Sequence, residues 1–178
     1  MIYESGDYYE GNWEYDLQHG NGIYIWDSGQ KFEGEFFNSL RQKGVKSFLN
    51  GDRYNGETLL FIPDGQGIYD WASGSKYIGE IKNGNKHGKG KYVDETSTYE
   101  GEYKDDLKHG LGIETSIFGD YYEGEYLFDV FSGNGIYIYP DGARYEGELQ
   151  RNYMSGQGTL TLKNGVQYKG TWSRGLLG

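Results

Sequence analysis

The chain has 178 residues, with 31 glycines but only 2 prolines, and its apolar content is largely aromatic, with 19 tyrosines, 8 phenylalanines and 4 tryptophans. The formal net charge of −10 argues against a nucleic-acid-binding protein, whose affinity depends on lysine and arginine, and the lack of cysteine excludes disulfides and thiol nucleophiles. Glycine and aromatic residues together favour short strands and tight turns. The absence of a leader-like or long apolar segment predicts a soluble chain, and the lack of cysteine fits a cytoplasmic one.

The first predicted element is a β-hairpin near the N-terminus. Residues 9–13 (YEGNW) alternate aromatic and polar side chains, and residues 22–26 (GIYIW) alternate in a more apolar form. An alternation with period two indicates strands. We expect a long polar loop between the two strands and a short turn at residues 27–29 (DSG), where the glycine can adopt a positive φ.

The same pattern recurs along the chain. An aromatic-x-Gly triplet places its glycine at positions 11, 34, 56, 79, 101, 124, 147 and 170. A Gly-x-Gly usually follows nine residues later, but in the second copy it slips by one residue, to Gly44 and Lys46. The period predicts one domain over residues 1–178, an all-β, elongated antiparallel β-hairpin solenoid that forms a single curved, twisted sheet of ~15 strands. About eight repeats begin near residues 9, 32, 54, 77, 99, 122, 145 and 168, and the last is truncated.

The alternation also predicts two different faces for this sheet. If Trp13 pairs with Gly22, then Gly11 lies opposite Tyr24, whose ring can cover the bare glycine backbone. The first-strand aromatics recur without exception and are expected to stack between hairpins. Glutamates such as Glu10 alternate with them, so we expect one aromatic face and one solvated acidic face.

The aromatic positions of the second strands vary from repeat to repeat. Tyr24 and Trp26 in the first repeat correspond to Ser47 and Leu49 in the second and to Glu114 in the fifth. Variation at a repeated position favours a surface shaped for one ligand, and tryptophan and tyrosine are enriched among interface hot spots. The predicted partner-binding groove consists of Tyr24, Trp26, Tyr69, Trp71, Tyr92, Tyr137 and Tyr139.

Two loops carry more apolar residues than their counterparts in other repeats. They contribute Leu60 and Phe61 in the third repeat and Phe128 and Phe131 in the sixth. Exposed apolar clusters on a soluble chain often mark a partner contact. The alternative is that these side chains pack against neighbouring loops, and the sequence leaves both interpretations open.

The densest basic segment lies in the fourth repeat. It contributes Lys82, Lys86, Lys89 and Lys91. These lysines form either a contact for phosphoinositide headgroups or solvated loop charge. In a chain of net charge −10, solvated charge is the favoured interpretation.

The sequence predicts no catalytic site, metal site or cofactor. His19, His87 and His109 share one repeat position. Equivalent positions of neighbouring hairpins lie about 10 Å apart, which is too far for two histidines to bind the same zinc ion. The Gly-x-Gly motifs do not extend to a dinucleotide fingerprint or a P-loop.

Residues 99–112, which read YEGEYKDDLKHGLG, resemble the membrane occupation and recognition nexus (MORN) repeat. The resemblance covers essentially the whole chain. It implies stacked hairpins with an aromatic groove, in a family of radial-spoke and other ciliary or cytoskeletal scaffolds, membrane tethers, and modules fused to enzymes. We therefore expect a non-catalytic scaffold that binds a helix or extended peptide along its aromatic face. The resemblance places it in a cilium, axoneme or other cytoskeletal assembly, and the alternative is a phosphoinositide-binding membrane tether.

The expected partners are proteins with a basic or amphipathic helical segment, because the chain is acidic. A further expectation concerns the C-terminal strand at residues 166–172, for which the sequence offers no return strand. An open strand edge presents unpaired backbone groups to other chains. A second copy or a neighbouring subunit is therefore expected to cover this edge.

Overall fold

The computed structural model describes residues 1–177 and contains strands and turns without a helix in that range. No segment of it therefore forms a helix that could cross a membrane. The chain divides into two units, residues 1–86 and residues 87 onward. Within each unit, strands that follow one another in the sequence pair antiparallel. The prediction of an all-β antiparallel hairpin array is confirmed.

The first unit contains seven strands. They are β1 (Tyr8–Glu14), β2 (Leu17–Ile25), β3 (Lys31–Phe37), β4 (Arg41–Ser47), β5 (Arg53–Leu59), β6 (Ile62–Asp70) and β7 (Lys76–Lys82). Strand β8 (Asn85–Val93) begins at the boundary between the units.

The second unit contains the remaining strands. They are β9 (Ser97–Lys104), β10 (Leu107–Ser116), β11 (Tyr121–Leu127), β12 (Val130–Ile138), β13 (Arg144–Gln150), β14 (Tyr153–Thr161), β15 (Gln167–Ser173) and β16 (Leu176–Leu177).

The last strand corrects the expectation of a missing return strand. Leu177 pairs with Trp172, and Leu176 pairs with Ser173, so the two terminal leucines form β16 against β15. The coverage of the rest of that edge by another chain stays a prediction.

Short turns replace the long polar loops that the sequence predicts within each hairpin. β1 and β2 are joined by Tyr15 and Asp16 alone, with φ of 49° and 62°. Positive φ at both central residues is the signature of a type I′ turn, whose twist matches that of the flanking strands. The expectation of loops was wrong because the polar segment continues the hairpin ladder almost to its tip.

The pairing within the hairpins also differs from the expected one. Gly11 pairs with Gly22, and Tyr9 pairs with Tyr24, while a bulge follows the glycine pair and lets Trp13 meet Gln18. An aromatic ring covers the glycines, as predicted, but it is the ring of Tyr9 and not that of Tyr24. A Cβ built on Gly22 would lie 2.6 Å from Cε2 of Tyr9, so the ring above both glycines belongs to the first strand.

These first-strand rings form the core. Seven of the eight positions are at most 1% exposed, namely Tyr9, Phe32, Tyr54, Tyr77, Tyr99, Tyr122 and Tyr145. The eighth, Tyr168, is 44% exposed. In β1 the hydroxyl of Tyr9 donates a 2.9 Å hydrogen bond to the carbonyl of Asn12, and the five other buried tyrosines at this repeat position make the same bond three residues on. This bond satisfies the one polar atom of each ring and fixes the ring over the paired glycines.

The glutamates lie on the opposite face, as predicted, but part of this set has a structural role. Glu125 Oε1 accepts a 2.8 Å hydrogen bond from the backbone N–H of Asn134, and Glu148 Oε1 accepts one of 3.0 Å from Gln157. Both amides follow a glycine with positive φ, Gly133 or Gly156. The second glutamate of the repeat therefore closes the bulge, so these carboxylates are more than solvating charge.

The buried tyrosines predict a steep loss of stability in alkali. Burial raises the pKa of Tyr54, Tyr99 and Tyr122 above the ordinary value of about 10, so folding favours the neutral phenol. This contribution is complete below pH ~10 and disappears as the pH rises toward the folded-state pKa, because the unfolded chain releases these protons first. We expect the part of the tyrosinate absorbance that belongs to the buried rings to appear only above pH ~10, together with loss of the β-sheet circular dichroism. Ionisation of all 19 tyrosines near pH ~10 while the sheet stays intact would contradict the assignment.

Candidate protein-binding surface

The aromatic face is the side of the sheet that carries the buried tyrosines. On it, the second-strand aromatics stand next to that row. Tyr24 lies between Tyr9 of β1 and Phe32 of β3 in the ladder. Because the first-strand rings fill the space over the glycines, Tyr24 and its neighbour Trp26 stay half-buried, with ring centroids 4.9 Å apart.

Phe61 completes this cluster from the turn between β5 and β6. Its ring centroid lies 4.8 Å from that of Tyr24 and 4.9 Å from that of Trp26, and it packs against the core rings. Its neighbour Leu60 remains 58% exposed. Of the two interpretations left open for this loop, internal packing applies to Phe61, while Leu60 is available to a partner.

The second repeat brings two unpredicted residues to the aromatic face. β3 and β4 pair without a bulge, with Gly44 opposite Gly34, so Lys46 and Phe48 occupy the positions that the sequence analysis assigned to Ser47 and Leu49. That assignment was wrong because the slip in the motif is the loss of the bulge residue. The one-residue deletion before Gly44 was the signal that could have shown this.

Lys46 places a cation among the rings. Its Nζ lies 5.0 Å from the ring centroid of Trp26 and 5.1 Å from that of Phe48, and it donates a 3.1 Å hydrogen bond to the carbonyl of Phe61. Burial lowers the pKa of the Lys46 ammonium. The contact with the electron-rich ring faces offsets part of its desolvation.

The third repeat continues the row. Tyr69 and Trp71 stack with ring centroids 4.6 Å apart, and Phe48 stacks on Tyr69 at 5.8 Å. All three side chains are half-buried. Within the first unit, the structure thus joins the four predicted groove residues to Phe48 in one aromatic surface.

The second unit carries the remaining predicted groove residues. Tyr92 of β8 lies opposite Tyr99 in the ladder. Tyr137 and Tyr139 have ring centroids 4.7 Å apart, and the hydroxyl of Tyr137 donates a 2.7 Å hydrogen bond to Oδ1 of Asp120.

Of the two loop residues of the sixth repeat, one is packed and the other is exposed, as in the third repeat. Phe131 stacks on the buried Tyr122 with a centroid distance of 3.9 Å, so it belongs to the packed layer. Phe128 stays 50% exposed, with its ring 5.0 Å from that of His109. Phe128 is therefore the member of this pair that a partner could contact.

The fifth repeat interrupts the row in the second unit. Glu114 stands where other repeats have a tyrosine, and Lys108 places its Nζ 2.5 Å from Glu114 Oε1. The hydroxyl of Tyr126 donates a 2.9 Å hydrogen bond to Glu114 Oε2. Beside this ion pair is an open cavity of about 210 Å³.

The predicted lipid-contact lysines face acidic neighbours where their partners are described. In the ladder, Lys89 lies opposite Glu102 and Lys91 opposite Glu100, and Nζ of Lys91 is 3.2 Å from Glu100 Oε2. Lys82 is exposed at the end of β7, and Lys86 is half-buried. Their contact with lipid stays a prediction.

The histidines do not form a metal site. Nε2 of His19 lies 3.3 Å from Glu14 Oε2, and Nδ1 of His87 lies 3.5 Å from Asp105 Oδ1. Within residues 1–177 the structure brings no three His, Cys, Asp or Glu side chains together in a way that could hold a metal ion.

The sequence matches the family model for the MORN repeat in seven segments. They are residues 9–31, 62–76, 77–98, 99–117, 122–144, 145–167 and 168–178. The unmatched residues 32–61 contain the second repeat, which has lost its bulge, although they still form β3, β4 and β5. No curated protein matches the chain.

Two of the solved structures that match the chain differ in the quality of the match. One is the SAS-4 (dCPAP) TCP domain of Drosophila melanogaster, solved in complex with a Proline Rich Motif of Ana2 (dSTIL). It is 15% identical, with a TM-score of 0.51, and the match covers 86% of this chain and 85% of that domain. The other is a streptogramin B lyase, 13% identical with a TM-score of 0.16, covering 95% of this chain and 52% of the lyase. The similarity to the TCP domain extends to the fold.

Proposed function

Because the chain belongs to the MORN repeat family, we propose that it is a non-catalytic scaffold that binds a segment of another protein across its aromatic face. The observation that carries the proposal is the surface formed by Tyr24, Trp26, Phe48, Tyr69 and Trp71, whose half-buried rings are held in place by a fully buried layer. Rigid aromatic side chains supply contact area at a low cost in conformational entropy, and they dominate interface hot spots.

The spacing of the hairpins favours an extended ligand over a helical one. Equivalent positions of neighbouring hairpins are two strands apart, which corresponds to about 9.6 Å. One turn of a polyproline II helix advances about 9.3 Å in three residues, whereas two turns of an α-helix advance about 10.8 Å. An extended segment can therefore present every third side chain to successive hairpins. The SAS-4 TCP domain, which shares the fold, was solved with a proline-rich motif.

The charge and the family set the remaining parts of the proposal. A net charge of −10 favours a partner segment that carries basic residues. That the scaffold belongs to a ciliary or other cytoskeletal assembly is part of the proposal and rests on the family resemblance.

Trp26→Ala and Trp71→Ala should each weaken binding of the partner segment at least tenfold without unfolding the chain. Truncating a central aromatic anchor costs about 2 kcal/mol or more in affinity, and both rings lie outside the fully buried layer. The measurement is a selection of displayed peptides, proline-rich and helical, against the native chain, followed by calorimetric titration of the selected peptides against each variant.

Tyr8→Ala is the matched control, because Tyr8 stands on the opposite face, where its hydroxyl donates a 2.6 Å hydrogen bond to Glu10 Oε2. It should leave the affinity unchanged. Selected peptides that bind both tryptophan variants as tightly as the native chain would overturn the proposal. So would a chain that selects no peptide but co-sediments with phosphoinositide vesicles through its lysines.

A further inference from the structure

The interruption of the aromatic row in the fifth repeat is a distinct feature of the second unit. Glu114 lies between Tyr99 of β9 and Tyr122 of β11 in the ladder, at the position that Tyr137 holds in the next repeat. Two residues on, Ser116 lies opposite Ser97, where Tyr139 stands one repeat later. Two small or acidic side chains thus replace two rings.

The missing rings leave a notch of about 210 Å³ in the aromatic face. Three rings form its wall, and two carboxylates and two hydroxyls complete its lining. The lining residues are Ser97, Glu114, Ser116, Asp120, Tyr122, Phe131 and Tyr137. The volume is of the order of one large side chain, so the notch can admit a single residue of a ligand that lies across the face.

The notch has an uncompensated negative charge. Glu114 is paired with Lys108, but Asp120 is met by a neutral donor, the hydroxyl of Tyr137. Each carboxylate oxygen has two lone pairs, so Asp120 Oδ1 and both oxygens of Glu114 can accept a further hydrogen bond. Two carboxylates against one ammonium leave a net charge of −1 at the notch.

The rings add a second preference for a cation. Tyr122 and Phe131 stack at 3.9 Å, and Phe131 and Tyr137 have centroids 5.8 Å apart, so the wall presents ring surface close to the two carboxylates. Lys108 already shows this preference, because its Nζ lies 4.9 Å from the ring centroid of Tyr99. A guanidinium group is planar, so it can lie flat on an aromatic ring while its in-plane N–H groups donate to two carboxylates, a geometry that the compact ammonium group lacks.

We propose that this notch is a specificity site that takes one arginine side chain from the bound protein segment. The guanidinium stacks against the rings of Phe131 and Tyr137 and donates to Glu114 and Asp120. The source of the arginine rests on the proposed function, whereas the chemistry of the notch does not. The site sets the register of the segment, since no other repeat of the second unit has a carboxylate at this position in the described residues.

The test uses a probe that needs no knowledge of the partner. N-acetyl-arginine N-methylamide is titrated into the ¹⁵N-labelled full chain, and its neutral isostere N-acetyl-citrulline N-methylamide is titrated in parallel. We expect saturable amide shifts confined to Ser97 and to residues 114–122 and 131–138 with the arginine probe, and none with the citrulline probe. Equal shifts with both probes, or shifts spread over the outer glutamates, would overturn the proposal.

Two variants separate the site from general charge effects. Ser116→Tyr restores a ring at the notch without touching the Lys108–Glu114 pair, so it should abolish the arginine shifts while the melting temperature stays unchanged or rises. Asp120→Asn should weaken the probe at least fivefold. Glu100→Gln, on the opposite face, is the matched control and should have no effect. Unchanged probe binding by Ser116→Tyr would place the arginine elsewhere and overturn the proposal.

The arginine notch and the scaffold proposal can fail independently in these experiments. If the arginine probe binds the notch but no peptide is selected on the aromatic face, the scaffold proposal fails and the notch remains a cation site. If peptides are selected and bind through Trp26 and Trp71, but arginine in them is dispensable, the scaffold proposal stands and the notch proposal is wrong.

Discussion

Tyr122→Ala is expected to lower the free energy of unfolding by about 3–5 kcal/mol, the range for removing a large buried aromatic ring. Tyr122 is 1% exposed, its hydroxyl donates a 2.8 Å bond to the carbonyl of Glu125, and its ring covers the paired glycines Gly124 and Gly135. The substitution therefore leaves a cavity and also exposes the backbone of two strands. The cavity stays open, because the glycines that line it have no side chains to fill it.

Urea unfolding followed by circular dichroism measures this loss. Tyr122→Phe is the first control: it removes only the hydrogen bond and should cost about 1 kcal/mol, and Phe32 already occupies the equivalent position in the second repeat. Glu100→Ala, on the acidic face, is the second control and should change stability by less than about 0.5 kcal/mol. Equal losses for Tyr122→Ala and Glu100→Ala would mean that the two faces are assigned the wrong way round.

Gly112→Ala is expected to destabilise the chain by about 3 kcal/mol or more, at the upper end for overpacking a closed site. Gly112 is buried and pairs with Gly101 on one side and Gly124 on the other. A Cβ at this position would lie 2.5 Å from Cε2 and 2.5 Å from Oη of Tyr99. The ring of Tyr99 must therefore move away from the two paired glycines, and its hydroxyl loses the hydrogen bond to the carbonyl of Glu102.

Gly165→Ala is the control for backbone effects alone. Gly165 has a φ of +86° and nothing within 4 Å of an added Cβ, so the cost is limited to about 1–2 kcal/mol of left-handed strain. Thermal and urea unfolding of the two variants separate the mechanisms. A Gly112→Ala chain as stable as Gly165→Ala would contradict the close packing of Tyr99 on the glycine pair.

The period and the two faces could be predicted from the sequence because a strand alternates with period two, whatever the partner strand. The pairing could not, since a shift of two residues preserves both faces: Gly11 opposite Tyr24 and Gly11 opposite Gly22 fit the alternation equally well. The steric argument that decides it is local. Two glycines must meet because the ring of Tyr9 occupies the volume above both.

The candidate surface could likewise be predicted only in part from the sequence. Tyr24, Trp26, Tyr69 and Trp71 could be found from their spacing alone, whereas Lys46 and Phe48 required knowledge of which residue the second repeat lacks. The notch required more, because the sequence shows only that Glu114 replaces a tyrosine. That its carboxylate is held by Lys108 and Tyr126 beside an open volume depends on the packing of neighbouring strands.

Site-specific photo-crosslinking tests most directly whether the aromatic face is the binding surface. A p-benzoylphenylalanine placed at Trp26 or at Trp71 is irradiated in native extract, beside the same group placed at Tyr8 on the opposite face, and the crosslinked peptides are identified by mass spectrometry. The proposal predicts one recurrent protein segment joined at Trp26 and at Trp71, in consecutive order along that segment, and none at Tyr8. The same segment joined only at Tyr8 would contradict binding on the aromatic face.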